Sequence, residues 1–138
     1  MVDTREVEKY LQRAVGTFEY SFDNKPMIKT THNYAYFPQV GGVPPLFVGR
    51  DSPSSTQETG VYVGFPGAPS FFWGDKVSLS QDIYARYVLR EEVWTTIEGS
   101  VTGIVDSPQK AAYVGFEFTA QNDAQIVNIK GSLILRLL

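Results

Sequence analysis

The one histidine of the chain, His32, stands between Thr31 and Asn33. Imidazole is the side chain best suited to proton transfer near neutral pH and to zinc, but a zinc site draws three or four ligands from His, Cys and carboxylates. With no cysteine and no second histidine, His32 is expected to be a structural or surface residue. The lack of cysteine also excludes a disulfide framework, iron–sulfur ligation and a thiol nucleophile. Asp23, Asp51, Asp75, Asp106 and Asp123 occur singly at turn-like positions, where bonding to their own backbone accounts for them. Glu91 and Glu92 are adjacent, so on a strand they would face opposite ways and could not act as a paired acid and base. A pair assembled by folding, such as Asp82 with Glu98, stays open, and no spacing selects it. Gly-x-Ser-x-Gly, the phosphate loop, Gly-x-Gly-x-x-Gly and the EF-hand loop are absent, and Gly64-Phe65-Pro66-Gly67 lacks the Lys-Ser/Thr of a phosphate cradle. No enzyme activity, no cofactor and no metal are therefore expected.

Aromatic and apolar clusters carry more information. Phe71, Phe72 and Trp73 are consecutive, and neighbours on an extended segment face opposite sides. At least one of these rings must then meet solvent, a ligand or another chain. Three readings stand: a turn tucked over the end of a sandwich or barrel, a subunit contact of the kind enriched in such rings, or a sugar platform of Trp73 beside Asp75 and Gln81. Leu46 and Phe47, with Val48, form an apolar island inside the segment 38–60, which is rich in Pro, Gly and Ser and reads as a long loop or arm. Leu137 and Leu138 end the chain on apolar side chains. The expected interface thus comprises Phe71, Phe72, Trp73, Leu46, Phe47, Leu137 and Leu138.

The elements that would position them follow from periodicity. Asp3 and Glu6 resemble a capping box, and Val7, Tyr10, Leu11 and Ala14 recur at helical spacing, which predicts a helix over about 4–15 ended near Gly16. From Thr17 the period becomes two, with Phe18, Tyr20 and Phe22 on one face. A turn at Asp23-Asn24-Lys25-Pro26 predicts an antiparallel hairpin with 27–37. Residues 61–65 return to strand character. Residues 77–92 fit two templates: a strand with Val77, Leu79, Ile83, Ala85, Tyr87 and Leu89 inward, which is favoured, or a helix started by Ser78 and Gln81. The last third predicts a meander of strands over 93–105, 111–120 and 125–138, relieved by Gly99, Gly103, Gly115 and Gly131.

Composition bounds the whole. The chain has 138 residues, 43% of them hydrophobic, 14% aromatic and 20% charged, with a formal charge of −3. This fits one β-rich domain over 1–138, a mostly β fold: an antiparallel β-sandwich or barrel of six to eight strands with one short N-terminal helix, or α+β if 77–92 are helical. Charge is spread evenly, so no nucleic-acid partner is expected. No membrane span and no signal peptide are expected either, which predicts a soluble protein. The functional expectation is a non-enzymatic structural protein that self-associates into a homo-oligomer or larger assembly. A phage or virus particle component, such as a capsid decoration or tail protein, would place it in the virion; otherwise it would be cytoplasmic. The alternative is a β module that binds a glycan or another small ligand, and a site built from scattered carboxylates and tyrosines is the remaining enzymatic reading.

Overall fold

The computed structural model describes residues 10–37, 45–51, 59–64, 71–78, 84–89, 92–106 and 108–138, with the backbone alone at 71–78 and 84. These residues form eleven β-strands and no helix: β1 Gln12–Arg13, β2 Val15–Phe22, β3 Ile28–Lys29, β4 His32–Tyr36, β5 Leu46–Arg50, β6 Gly60–Gly64, β7 Phe71–Ser78, β8 Tyr84–Leu89, β9 Glu92–Asp106, β10 Ala111–Asn122 and β11 Gln125–Arg136. All pair antiparallel in the order β1-β4-β5-β6-β8-β9-β10-β11-β2-β3, with β7 beside β9. The path does not close into a barrel. It folds over on itself, so that β1, β4, β5, β6 and β8 make one layer and β7, β9, β10, β11, β2 and β3 the other.

The chain passes between the layers within β9 and again between β1 and β2. In β9, Glu92, Val93 and Trp94 pair with β8, whereas the remainder pairs with β10 and, from Ser100 onward, also with β7. Ile97 is extra between Glu98, opposite Thr119, and Thr96, opposite Ala120, and this bulge bends the strand. At the other corner β1 pairs with β4 and β2 with β11, with Ala14 between them. Gly16 makes that passage possible. Its φ is +127°, and a Cβ there would lie 1.9 Å from the Ile134 carbonyl oxygen.

The main core lies between the layers and contains Phe18, Tyr20, Phe47, Val63, Phe116 and Leu133. The alternation of Val114, Phe116 and Phe118 against Tyr113 and Glu117 places the first set inside, as expected for a half-buried strand. The first layer is apolar on both faces. Leu46, Val48, Tyr62 and Val88 form a second buried cluster, with Leu11, Tyr34 and Tyr36 against it. That is why Leu46-Phe47-Val48 and Val61-Tyr62-Val63 are continuous apolar runs rather than alternating ones. The Arg50 guanidinium lies 4.6 Å from the Tyr34 ring centroid and that of Arg86 4.7 Å from Tyr62, while Arg50 Nη1 donates to the Tyr62 hydroxyl at 3.3 Å.

The mostly β class, the C-terminal meander and the strand over 84–89 agree with the sequence reading, and four expectations need correction. The helix over about 4–15 is replaced at its described end: Gln12 and Arg13 pair with Ala35 and Tyr34, and the Ala14 N–H donates to the Asn33 carbonyl at 2.9 Å. Leu11 and Ala14 are spaced for a helix, but both side chains find apolar neighbours from an extended chain, and tertiary pairing outweighs a local helix signal. Residues 4–9 lie outside the described residues. The loop or arm over 38–60 contains β5, an interior strand of the first layer, while 38–44 and 52–58 are outside the described residues. The single return strand over 27–37 is two strands in different layers, β3 beside β2 and β4 beside β5. The strand count rises above eight for these reasons and because the aromatic turn is β7.

Candidate functional site

The outer face of the second layer carries an apolar region open to solvent at one end. Tyr113 in β10 pairs directly with Ile134 in β11 and with Ile104 in β9. Directly paired residues share a face. Tyr113 is 60% exposed and Ile134 51%. One step along the strands, Ala111 pairs with both Asp106 and Arg136, and Arg136 pairs with Val15. These residues line a shallow depression of about 380 Å³. Further along the same face the character changes, with Glu117 opposite Lys130 and Ser132 opposite Glu19. The Tyr113–Ile134 region therefore ends at this polar stretch, and Ile126, opposite Gln121 at the far end of the face, is exposed apart from it.

Its charged flanks have a definite arrangement. Asp106 and Arg136 sit on either side of Ala111, with their backbones two strand spacings or about 10 Å apart. The Asp106 carboxylate accepts the Gln109 N–H at 3.2 Å, which closes the turn between β9 and β10 and fixes the acid at the edge of the depression.

The residues singled out from sequence fall in three places. The backbone of Phe71, Phe72 and Trp73 lies in β7, opposite Asp106, Val105 and Ile104, so the aromatic triplet extends the rows of this depression across the ladder instead of forming a turn. Their side chains lie outside the described residues, and so does Gln81. Leu46 and Phe47 are 1% and 0% exposed in β5, so they are core within one chain and offer no surface to a partner. Leu137 packs against the main core and its N–H donates to the Lys110 carbonyl at 2.9 Å, beside the same end of β10, while Leu138 is 95% exposed. His32 is half-buried at the end of β4, with Nδ1 2.9 Å from the Thr31 hydroxyl. Among the described residues no three metal-ligating side chains converge, and no helix is long and apolar enough to cross a membrane. No protein family, curated protein or solved structure matches the chain.

Tyr113 and Ile134 were not among the expected interface residues. Their signal is present in the sequence: each is a large apolar residue on the polar face of its own strand, Tyr113 beside Glu117 and Ile134 among Lys130, Ser132 and Arg136. Only the hairpin register brings the two opposite each other.

A second concavity lies at the opposite end of β2 and β11, between the layers. It has a volume of about 510 Å³ and is walled by Tyr20, Phe22, Tyr87, Leu89 and Trp94, with Asp23 and Gln125 also lining it. The Tyr87 ring meets Tyr20 edge-on at 6.2 Å and Trp94 at 5.8 Å. Burial pushes the Tyr20 hydroxyl well above its ordinary pKa, with further increases from Tyr87 and from Asp51. Burial likewise raises Tyr87. Both therefore remain neutral phenols at physiological pH.

Proposed function

We propose that this protein is a non-enzymatic structural protein that works by self-association through the apolar end of its second layer, as a component of a phage or virus particle such as a capsid decoration or tail protein. The observation that carries the reading is the exposed Tyr113–Ile134 pair, set in a depression with an acid on one side and a base on the other. A two-fold interface requires one patch to complement itself. Asp106 of one copy placed against Arg136 of another satisfies that requirement on both sides of the axis, with Tyr113 and Ile134 enclosed between the two charge pairs. Aromatic residues at the centre with charges at the rim is the usual anatomy of a protein interface. Strand β7 supports the same reading. Among the described residues it pairs only with β9, so its outer edge has ladder groups to offer another strand. Asp75 and Lys76 sit in its bulge opposite Thr102, which interrupts any long continuous edge and leaves the aromatic end of the strand next to the depression.

Sedimentation equilibrium from low to high micromolar concentration tests the proposal. A mass that rises with concentration to a dimer or larger species is expected. A monomer throughout the range contradicts it.

A further inference from the structure

Resting on the self-association reading above, we propose that two copies meet face to face about an axis along β10, with the Tyr113 ring of each seated over Gly115 of the other. The order of residues on the outer face sets the axis. Arg136, Ala111 and Asp106 form one row across β11, β10 and β9. Bringing Arg136 of each copy against Asp106 of the other exchanges β11 with β9. Between facing sheets a two-fold that does this runs along β10, and it sets every row against itself. The next row, Ile134, Tyr113 and Ile104, then surrounds the axis with apolar side chains, and the row after it is Ser132, Gly115 and Thr102. One row farther on, Glu117 would meet Glu117 of the other copy, and like charge ends the contact there.

Gly115 is the independent observation. A glycine inside a strand weakens it, and commonly marks a bulge or the close approach of another chain. Gly115 has no left-handed φ, pairs in regular register with both Ser132 and Thr102, and lies away from the register shift between Thr119 and Ala120. A Cβ on Gly99, Gly103 or Gly131 in the same layer would meet backbone atoms at 2.1 to 2.4 Å, so the fold of one chain excludes a side chain there. A Cβ on Gly115 would touch only Thr102 Cγ2 among the described residues, at 3.7 Å. One chain therefore has room for a side chain at this position and does not use it. Tyr113 and Glu117, its neighbours on the same face of β10, are both exposed. Side chains on a strand lean along the strand direction. Tyr113 at the axis thus reaches the adjoining row, and the bare backbone at Gly115 of the facing copy receives the ring where a side chain would collide with it.

Sedimentation equilibrium of the full chain, with thermal melts at concentrations too dilute for association, tests the geometry. Gly115→Val should weaken association by about tenfold or more, because it fills the space the ring occupies. The monomer's thermal midpoint should equal or exceed that of the parent, since a β-branched residue suits a strand better than glycine. Thr119→Val, two rows farther along the same face and beyond Glu117, should associate as the parent does. Where Gly115→Val lacks the parental circular dichroism spectrum, Gly115→Ala decides, with several-fold weaker association expected. If the parent associates and the folded Gly115 variant associates equally well, the inference is overturned while self-association stands. A lowered midpoint in Gly115→Ala overturns it too, because the glycine would then serve its own fold, as does a loss of association in Thr119→Val equal to that at Gly115. A parent that stays monomeric at every concentration overturns both readings.

Discussion

The ring of Phe18 in β2 lies over Gly49 in β5, so close that a Cβ on Gly49 would fall 2.4 Å from Phe18 Cγ. The contact joins the two layers, and the glycine is what lets the ring reach the core floor. Gly49→Ala should therefore destabilise the fold by about 1–3 kcal/mol through overpacking. Urea unfolding followed by tryptophan fluorescence checks it, and a midpoint equal to that of the parent would show that the layers separate freely at this point.

Thr30 joins the same layers through polar atoms. Its N–H donates to the Phe18 carbonyl at 2.9 Å, and its hydroxyl shares its one proton between that carbonyl, at 3.0 Å, and the side-chain oxygen of Asn33. Thr30 and Asn33 are both buried. Thr30→Val keeps the shape and removes the hydroxyl, leaving Asn33 without that bond, and should cost about 1–3 kcal/mol. The double variant Thr30→Val/Asn33→Ala should cost less than the sum of the single changes, because the two side chains act as one unit.

Stability should fall at alkaline pH. The folded pKa values of Tyr20 and Tyr87 are raised, chiefly by burial, whereas tyrosines of the unfolded chain ionise at about pH 10. The contribution of the buried neutral phenols is thus complete below about pH 10 and is lost as pH rises through the folded values. Each tyrosine contributes a slope of at most about 1.4 kcal/mol per pH unit. Denaturant midpoints measured between pH 8 and pH 11 should decline in the upper half of that range. The decline should be shallower in Tyr20→Phe.

Much of the second layer was legible from sequence because its strands are half-buried. Phe116 and Phe118 alternate with Glu117, and the turns at Asp106 and Asp123 mark the reversals. The first layer was harder to read. Its strands are buried on both faces, so Leu46-Phe47-Val48 carries no period and looked like an island in a Pro- and Gly-rich arm. Leu11 and Ala14 misled for a different reason: their spacing suits a helix, and the pairing of Gln12 and Arg13 with β4 is a long-range contact that no local window contains. The candidate surface was missed at Tyr113 and Ile134 because two unremarkable positions become one patch only through register. Trp94 was absorbed into a β-branched strand. Its place in a cavity depends on β9 passing from one layer to the other.

The most direct test of the association surface compares three chains by sedimentation equilibrium at matched concentrations: the parent, Tyr113→Lys/Ile134→Lys, and Gln121→Lys as a charge control on the polar end of the same strand. Two lysines at the centre of the patch should place unpaired charge in the interface and weaken association by about a hundredfold or more, with the monomer's thermal midpoint nearly unchanged because both side chains are already exposed. Gln121→Lys should associate as the parent does. Association of the double variant equal to that of the parent would contradict the account and move the contact away from this face.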